Sequence, residues 1–226
     1  MAQPFFGVRQ GAYKLNAVTN AITTVSGNLL VAIVTGFSGV GATPVSDNKS
    51  NTWVQAIASF GSGSGFTAVF YAANCIGGAG HTFDPTGHGS SFPTIAVLEI
   101  EGAALTSSLG STATSTGSSS VHTAGPITSN ASVPEIFIGG GSVTSGAPTT
   151  PTNPLSPLLW STLLLQGFGS TEGMALQYRV VDASTTDSSS YTAAAVAEAA
   201  FIVGFKMAVA GGGGGSAERS FTYIGG

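Results

Sequence analysis

Nine short runs of β-branched, aliphatic and aromatic residues, each closed off by Gly, Pro, Asn, Asp or Ser, constrain this chain more than any other feature. In order they are AITTV at 21–25, LLVAIV at 29–34, TWVQAI at 52–57, TAVFYAANC at 67–75, TIAVLEIE at 94–101, EIFI at 135–138, LLWSTLLL at 158–165, MALQYRVV at 174–181 and FIVGFK at 201–206. Strands are this short, favour these side chains and stop at turn formers. The pattern therefore predicts an all-β fold, a two-sheet antiparallel β-sandwich of jelly-roll-like kind. The alanine-rich stretch 191–200 competes, because alanine is the best helix former. It carries no stripe of large apolar residues at helical spacing and runs straight into FIVGFK, so it too reads as strand.

A chain of 226 residues can bury a full core as one domain. The expected organisation is an N-terminal arm over 1–20, the sandwich over 21–210 and a glycine-tethered C-terminal tail over 211–226. Charged residues make up only 7% of the chain, so Ser, Thr and backbone supply its polarity. Two uncharged, turn-forming stretches, GSTATSTGSSS at 110–120 and SGAPTTPTNPLSP at 145–157, read as surface loops or rims. With six Lys and Arg spread singly and a net charge of −4, the chain lacks a basic footprint, which argues against nucleic acid or an anionic membrane as partner. The most apolar long window, 191–210, contains Glu198, Gly204 and Lys206 and reads poorly as a membrane span. The N-terminus shows no basic start, apolar core and small-residue cleavage site, so export by an ordinary signal is not expected.

The stretch SDNKSNTW at 46–53 tests for metal chemistry, since its oxygens resemble those of a calcium loop. Counted from Asp47, the second ligand position is Lys49, the sixth is Thr52 in place of glycine and the twelfth is Ala58, so it fails that pattern and reads as a turn between strands. His81, Asp84 and His88 offer three ligands from one loop, but the histidines match no standard spacing and Asp84-Pro85 with Gly87 makes an ordinary turn. No metal and no cofactor is expected. Glu99 and Glu101 alternate on one strand at about 7 Å, a separation a glycosidase can use, yet a solvated strand face is the simpler reading. His122 has no partner in sequence, Cys75 reads as a small buried hydrophobe, and Gly139 to Gly141 lack the lysine of a phosphate loop. No nucleophile elbow occurs, and the chain is not expected to be an enzyme.

The segments SGNLLVAIV at 26–34, VSD at 45–47 with NTW at 51–53, FYAAN at 70–74 with Gly77 and Gly78, and IAVLEIEG at 95–102 together resemble a β-sandwich module of tailed-phage structural proteins and bacterial extracellular proteins. Trp160, Tyr178 to Val181, and Phe205 with Lys206 extend the resemblance over about 20–207. The chain departs from that pattern at Ser50, where glycine is common. The resemblance implies a structural virion protein, a capsid decoration or tail component that associates with itself and with a major capsid or tail protein. A carbohydrate-binding or adhesive surface module, stacking a glycan on Trp53, Trp160 or loop tyrosines and located outside the cell, is the alternative. The five glycines at 211–215 hold no structure of their own, and SFTYI at 220–224 alternates like a strand. That tail is expected to dock on a sheet edge of a neighbouring copy. Phe5 and Phe6 at one end and Phe221, Tyr223 and Ile224 at the other are the expected assembly contacts.

Overall fold

The computed structural model describes residues 7–15, 17–37, 45–62, 65–88, 91–143, 160–168, 172–193, 198–208 and 222–224. The first half supplies β1 (Gly7–Leu15), β2 (Ile22–Thr24), β3 (Leu29–Phe37), β4 (Ser46–Asp47), β5 (Val54–Ser62), β6 (Gly65–Ala72), β7 (Gly78–His81), β8 (Phe83–Asp84) and β9 (Ser91–Glu101). The second half supplies β10 (Leu109–Gly117), β11 (Val121–Thr128), β12 (Glu135–Val143), β13 (Ser161–Phe168), β14 (Glu172–Val181), β15 (Thr186–Thr192), β16 (Glu198–Lys206) and β17 (Thr222–Ile224). A six-stranded sheet runs β17-β1-β9-β3-β6-β5, and a five-stranded sheet runs β10-β16-β12-β14-β13. Every pairing in them is antiparallel except that of β17 with β1. The fold is the all-β sandwich that the strand-like runs predict.

Three apolar layers explain why those runs are so uniformly hydrophobic. Leu29, Val31 and Ile33 of β3 and Leu98 and Ile100 of β9 face the second sheet, where Ile136, Ile138, Leu176, Val203 and Phe205 meet them. The alternate residues Leu30, Ala32, Val34, Ile95 and Val97 point the other way, into a second cluster with Trp53, Phe70, Cys75 and Phe83. The ribbons β2-β7 and β4-β8 cap that outer face. A third cluster of Phe137, Ala175, Ala200, Ile202 and Tyr191 lies between the five-stranded sheet and the ribbon β11-β15. Strands covered on both faces lose the apolar-polar alternation of a half-exposed strand. Leu29 through Val34 are accordingly all buried.

Two placements differ from the sequence reading. Residues 7–15, expected within an arm outside the sandwich, form β1, an integral strand of the large sheet. A register shift between Val8 and Gln10 inverts the facing of the strand, so Val8 enters the first cluster and Ala12 the second. The hydroxyl-rich stretch 110–120, expected as a loop, is largely β10, paired with β16, and it turns back into β11. Threonine is β-branched and sits well on a solvated strand face, and β10 keeps mostly half-buried and exposed residues. The tail strand β17 pairs in parallel with β1 of the same chain. Within 191–200, β15 ends at Thr192 and β16 starts at Glu198, and 194–197 fall outside the described residues, as does 145–157.

Candidate functional site

The loop at 46–53 is a turn, and the polar side chains of Asp47, Asn48, Lys49, Asn51 and Trp53 are all engaged. Asp47 Oδ1 accepts from the Lys49 amide at 2.7 Å and from Asn51 Nδ2 at 3.2 Å, and Asp47 Oδ2 accepts from Trp53 Nε1 at 2.7 Å. Asn48 bridges to Gly80 O and the Thr82 amide, Lys49 Nζ reaches Ala79 O, and Asn51 pairs with both backbone groups of Ile76. The loop is thereby sewn to residues 76–82, and its carboxylate oxygens are occupied by donors rather than turned outward to a cation. Ser50 takes φ of +61°, the left-handed conformation that explains the glycine common in the resembling pattern. Serine holds it at some local cost, offset by the hydrogen bonds around it.

His81 and Glu99 anchor the layer beneath. His81 is wholly buried, with Nδ1 at 2.7 Å from Thr24 Oγ1 and its ring tilted on Phe83 at 4.3 Å. Its Nε2 stands 3.3 Å from Asp47 Oδ1, an electrostatic contact without aligned hydrogen-bond geometry. Burial holds the imidazole pKa below its usual value, against the opposing pull of Asp47. Glu99, expected on a solvated face, is instead fully buried. Its Oε1 accepts from the Val25 amide and Asn28 Nδ2, each at 2.7 Å, and Gln10 Nε2 donates to Oε2. Glu101 is partly exposed and meets Arg9 at 3.4 Å. The two glutamates thus tie the 25–28 turn and β1 to β9, and they face no shared cleft. Cys75 donates to Val25 O at 3.3 Å, and burial, with help from Glu99, pushes its thiol up to about 11.

Asp84 accepts from the amide and hydroxyl of its neighbour Thr86, so it caps its own turn. Among the described residues no group of three His, Cys, Asp or Glu is placed to hold a metal ion. On the far face, Arg179 and Trp160 Nε1 converge on the buried Asp187. His122 stacks at 5.0 Å on Tyr191, whose phenol burial pushes up in pKa. Gly139 and Gly141 are glycines for packing, since a Cβ on the first overlaps Ser189 and on the second overlaps Ala199 O. Glu135 Oε1 accepts from the Asn130 amide at 3.0 Å, while its buried Oε2 has no hydrogen-bond partner. Desolvation raises its pKa, opposed by the Asn130 amide and Lys206.

Of the expected assembly residues, Phe5, Phe6 and Phe221 lie outside the described residues. Tyr223 and Ile224 lie in β17, opposite Gly11 and Ala12 of β1, with Thr222 opposite Gln10. The acceptor edge on β1 was missed in sequence because GVRQGAYKL carries two glycines, an arginine and a lysine and shows little alternation. Two open hollows mark the described surface. One of about 390 Å³ lies over the 46–53 loop, and one of about 460 Å³ is lined by Leu105, Val133, Lys206 and Met207 among others. Neither gathers a nucleophile, base and orienting group.

Fold and anchored loops define the class: an all-β sandwich whose outer faces are capped by short ribbons and whose polar core groups hold turns in place. No protein-family model, no curated protein and no solved structure matches this chain.

Proposed function

We propose that the chain is a structural subunit of a larger assembly, of the kind a tailed-phage virion uses as capsid decoration or tail component. The observation that carries this reading is the terminal strand β17, which a glycine-rich segment separates from the sandwich and which adds to the edge of the large sheet. An enzyme spends its buried acids and histidines on a cleft, whereas Asp47, Glu99 and Asp187 here fasten loops and strands. The sequence resemblance to phage structural modules supplies the setting, and a major capsid or tail protein is the partner it implies. The glycan-binding alternative relied on Trp53 and Trp160. Trp53 is only 8% exposed and stands edge-on to Phe83, and both indole N–H groups are held by aspartates. That favours core roles for both. The test is co-sedimentation of the purified chain with capsid shells, read as bound copies per shell. A saturable, stoichiometric count is expected, and a chain that stays monomeric in the supernatant contradicts the proposal.

A further inference from the structure

We infer that β17 is an exchangeable strand: the C-terminal strand of one copy completes the large sheet of a second copy, in the same parallel register on the Gln10–Ala12 edge. The inference rests on the assembly reading above and names its partner, another molecule of this chain.

Each edge strand of the two sheets carries a register shift, and β1 is the one on which a further strand is seated. The described β5 shifts register twice against β6, between Gln55 and Ile57 and between Ile57 and Phe60. β10 shifts between Leu109 and Thr112, and β13 between Thr162 and Leu164. Such bulges twist an edge and break the even row of donors and acceptors that an added strand needs. On β1 the shift lies between Val8 and Gln10, and from Gln10 to Leu15 the strand pairs with β9 without interruption. β10 has a regular stretch of equal length from Thr112 to Gly117, so what singles out β1 is that β17 sits on it over three registered pairs. The occupant of the edge is therefore known, and only the molecule that supplies it is open to choice.

Thirteen residues, 209–221, join Ala208 to Thr222, and fully extended they span roughly 45 Å. Exchange requires a neighbour's β1 edge to lie within that span of Ala208. Closed and exchanged forms make the same β1-β17 pairs, so the contacts themselves do not choose between them. Effective concentration does: a strand joined to its own edge through a tether of this length meets it at about millimolar concentration. Dilute chains therefore close on themselves, and copies crowded side by side on a lattice exchange. Swapping an identical element is a low-cost route to association for this reason. It also delays association until copies are already in place.

Two chains, each with one added cysteine, separate the forms, because only an interchain disulfide can join the two added thiols. Gln10→Cys in one chain and Thr222→Cys in the other place thiols at directly opposed positions, while the buried Cys75 stays out of the reaction. Equal amounts are oxidised at about 10 μM and about 2 mM, bracketing the tether's effective concentration. The 10-to-222 link is counted by peptide mass. The expected result is a rise of at least about tenfold in that link at the higher concentration. A chain carrying both substitutions should lock internally when oxidised dilute. If the double variant locks internally but the mixed chains never link, exchange is overturned. If neither links, the β1-β17 pairing itself is overturned. Co-sedimentation of the internally locked variant with capsid shells keeps the two readings apart. Binding equal to the parent's overturns exchange and leaves the structural-subunit reading standing, whereas weakened binding restored by reduction supports both.

Discussion

Asp47 shows how a single side chain substitutes for chemistry the loop only resembles. Its carboxylate collects the Trp53 indole, the Lys49 amide and Asn51, with buried His81 beside it. Asp47→Asn replaces one acceptor oxygen by an NH₂ facing donors, and hydrogen bonds to charged groups are among the stronger ones. A loss of about 2 to 3 kcal/mol in urea unfolding is expected. Glu135 acts in the opposite sense. Its raised folded pKa means that the native state holds the proton more tightly than the unfolded chain does. The stability it contributes is fully present below the ordinary glutamate pKa of about 4.3 and is lost as pH rises through the folded value. Glu135→Gln should therefore raise the melting temperature near pH 8, with the gain shrinking on acidification toward pH 4. A gain that grows on acidification contradicts this sign.

The ribbon β11-β15 is a further element that sequence reading missed, and its packing explains why. TDSSSYT places Ser188, Ser189 and Ser190 in the interior with no large apolar residue among them. Gly139 on β12 leaves the room for Ser189, and Gly141 leaves room for the Tyr191 hydroxyl. Gly139→Ala drives a methyl into the Ser189 side chain and should cost about 1 to 3 kcal/mol. Ser189→Gly removes the colliding atoms, so the double variant should recover part of that loss in thermal melts. Small-on-small packing leaves no hydrophobic signal, whereas LLVAIV and TIAVLEIE announced their strands because both faces are covered. The turn at 46–53 was legible from its missing glycine and glutamate ligands. The burial of Glu99 was not, because its donors Val25, Asn28 and Gln10 come from two segments far from it in the chain. Chain alternation reports facing, and only the fold reports what stands opposite.

Taken together, the layers make a closed, well-covered block with one strand that arrives from the end of the chain. Its two sheets pack over a shared core, ribbons cap both outer faces, and the bulged edges discourage unplanned pairing. The edge on which a strand from elsewhere in the sequence is seated is that of β1, filled by the tail. Substituting both Tyr223→Pro and Ile224→Pro removes backbone donors from either side of β17 while leaving the sandwich sequence intact. Sedimentation velocity of this full-length variant beside the parent, each from micromolar to millimolar concentration, reads the consequence directly. The parent should pass from monomer to larger species with rising concentration while the variant stays monomeric with an unchanged far-ultraviolet spectrum. Identical mass distributions for the two, whether both monomeric or both assembled, contradict a chain that works by lending its last strand.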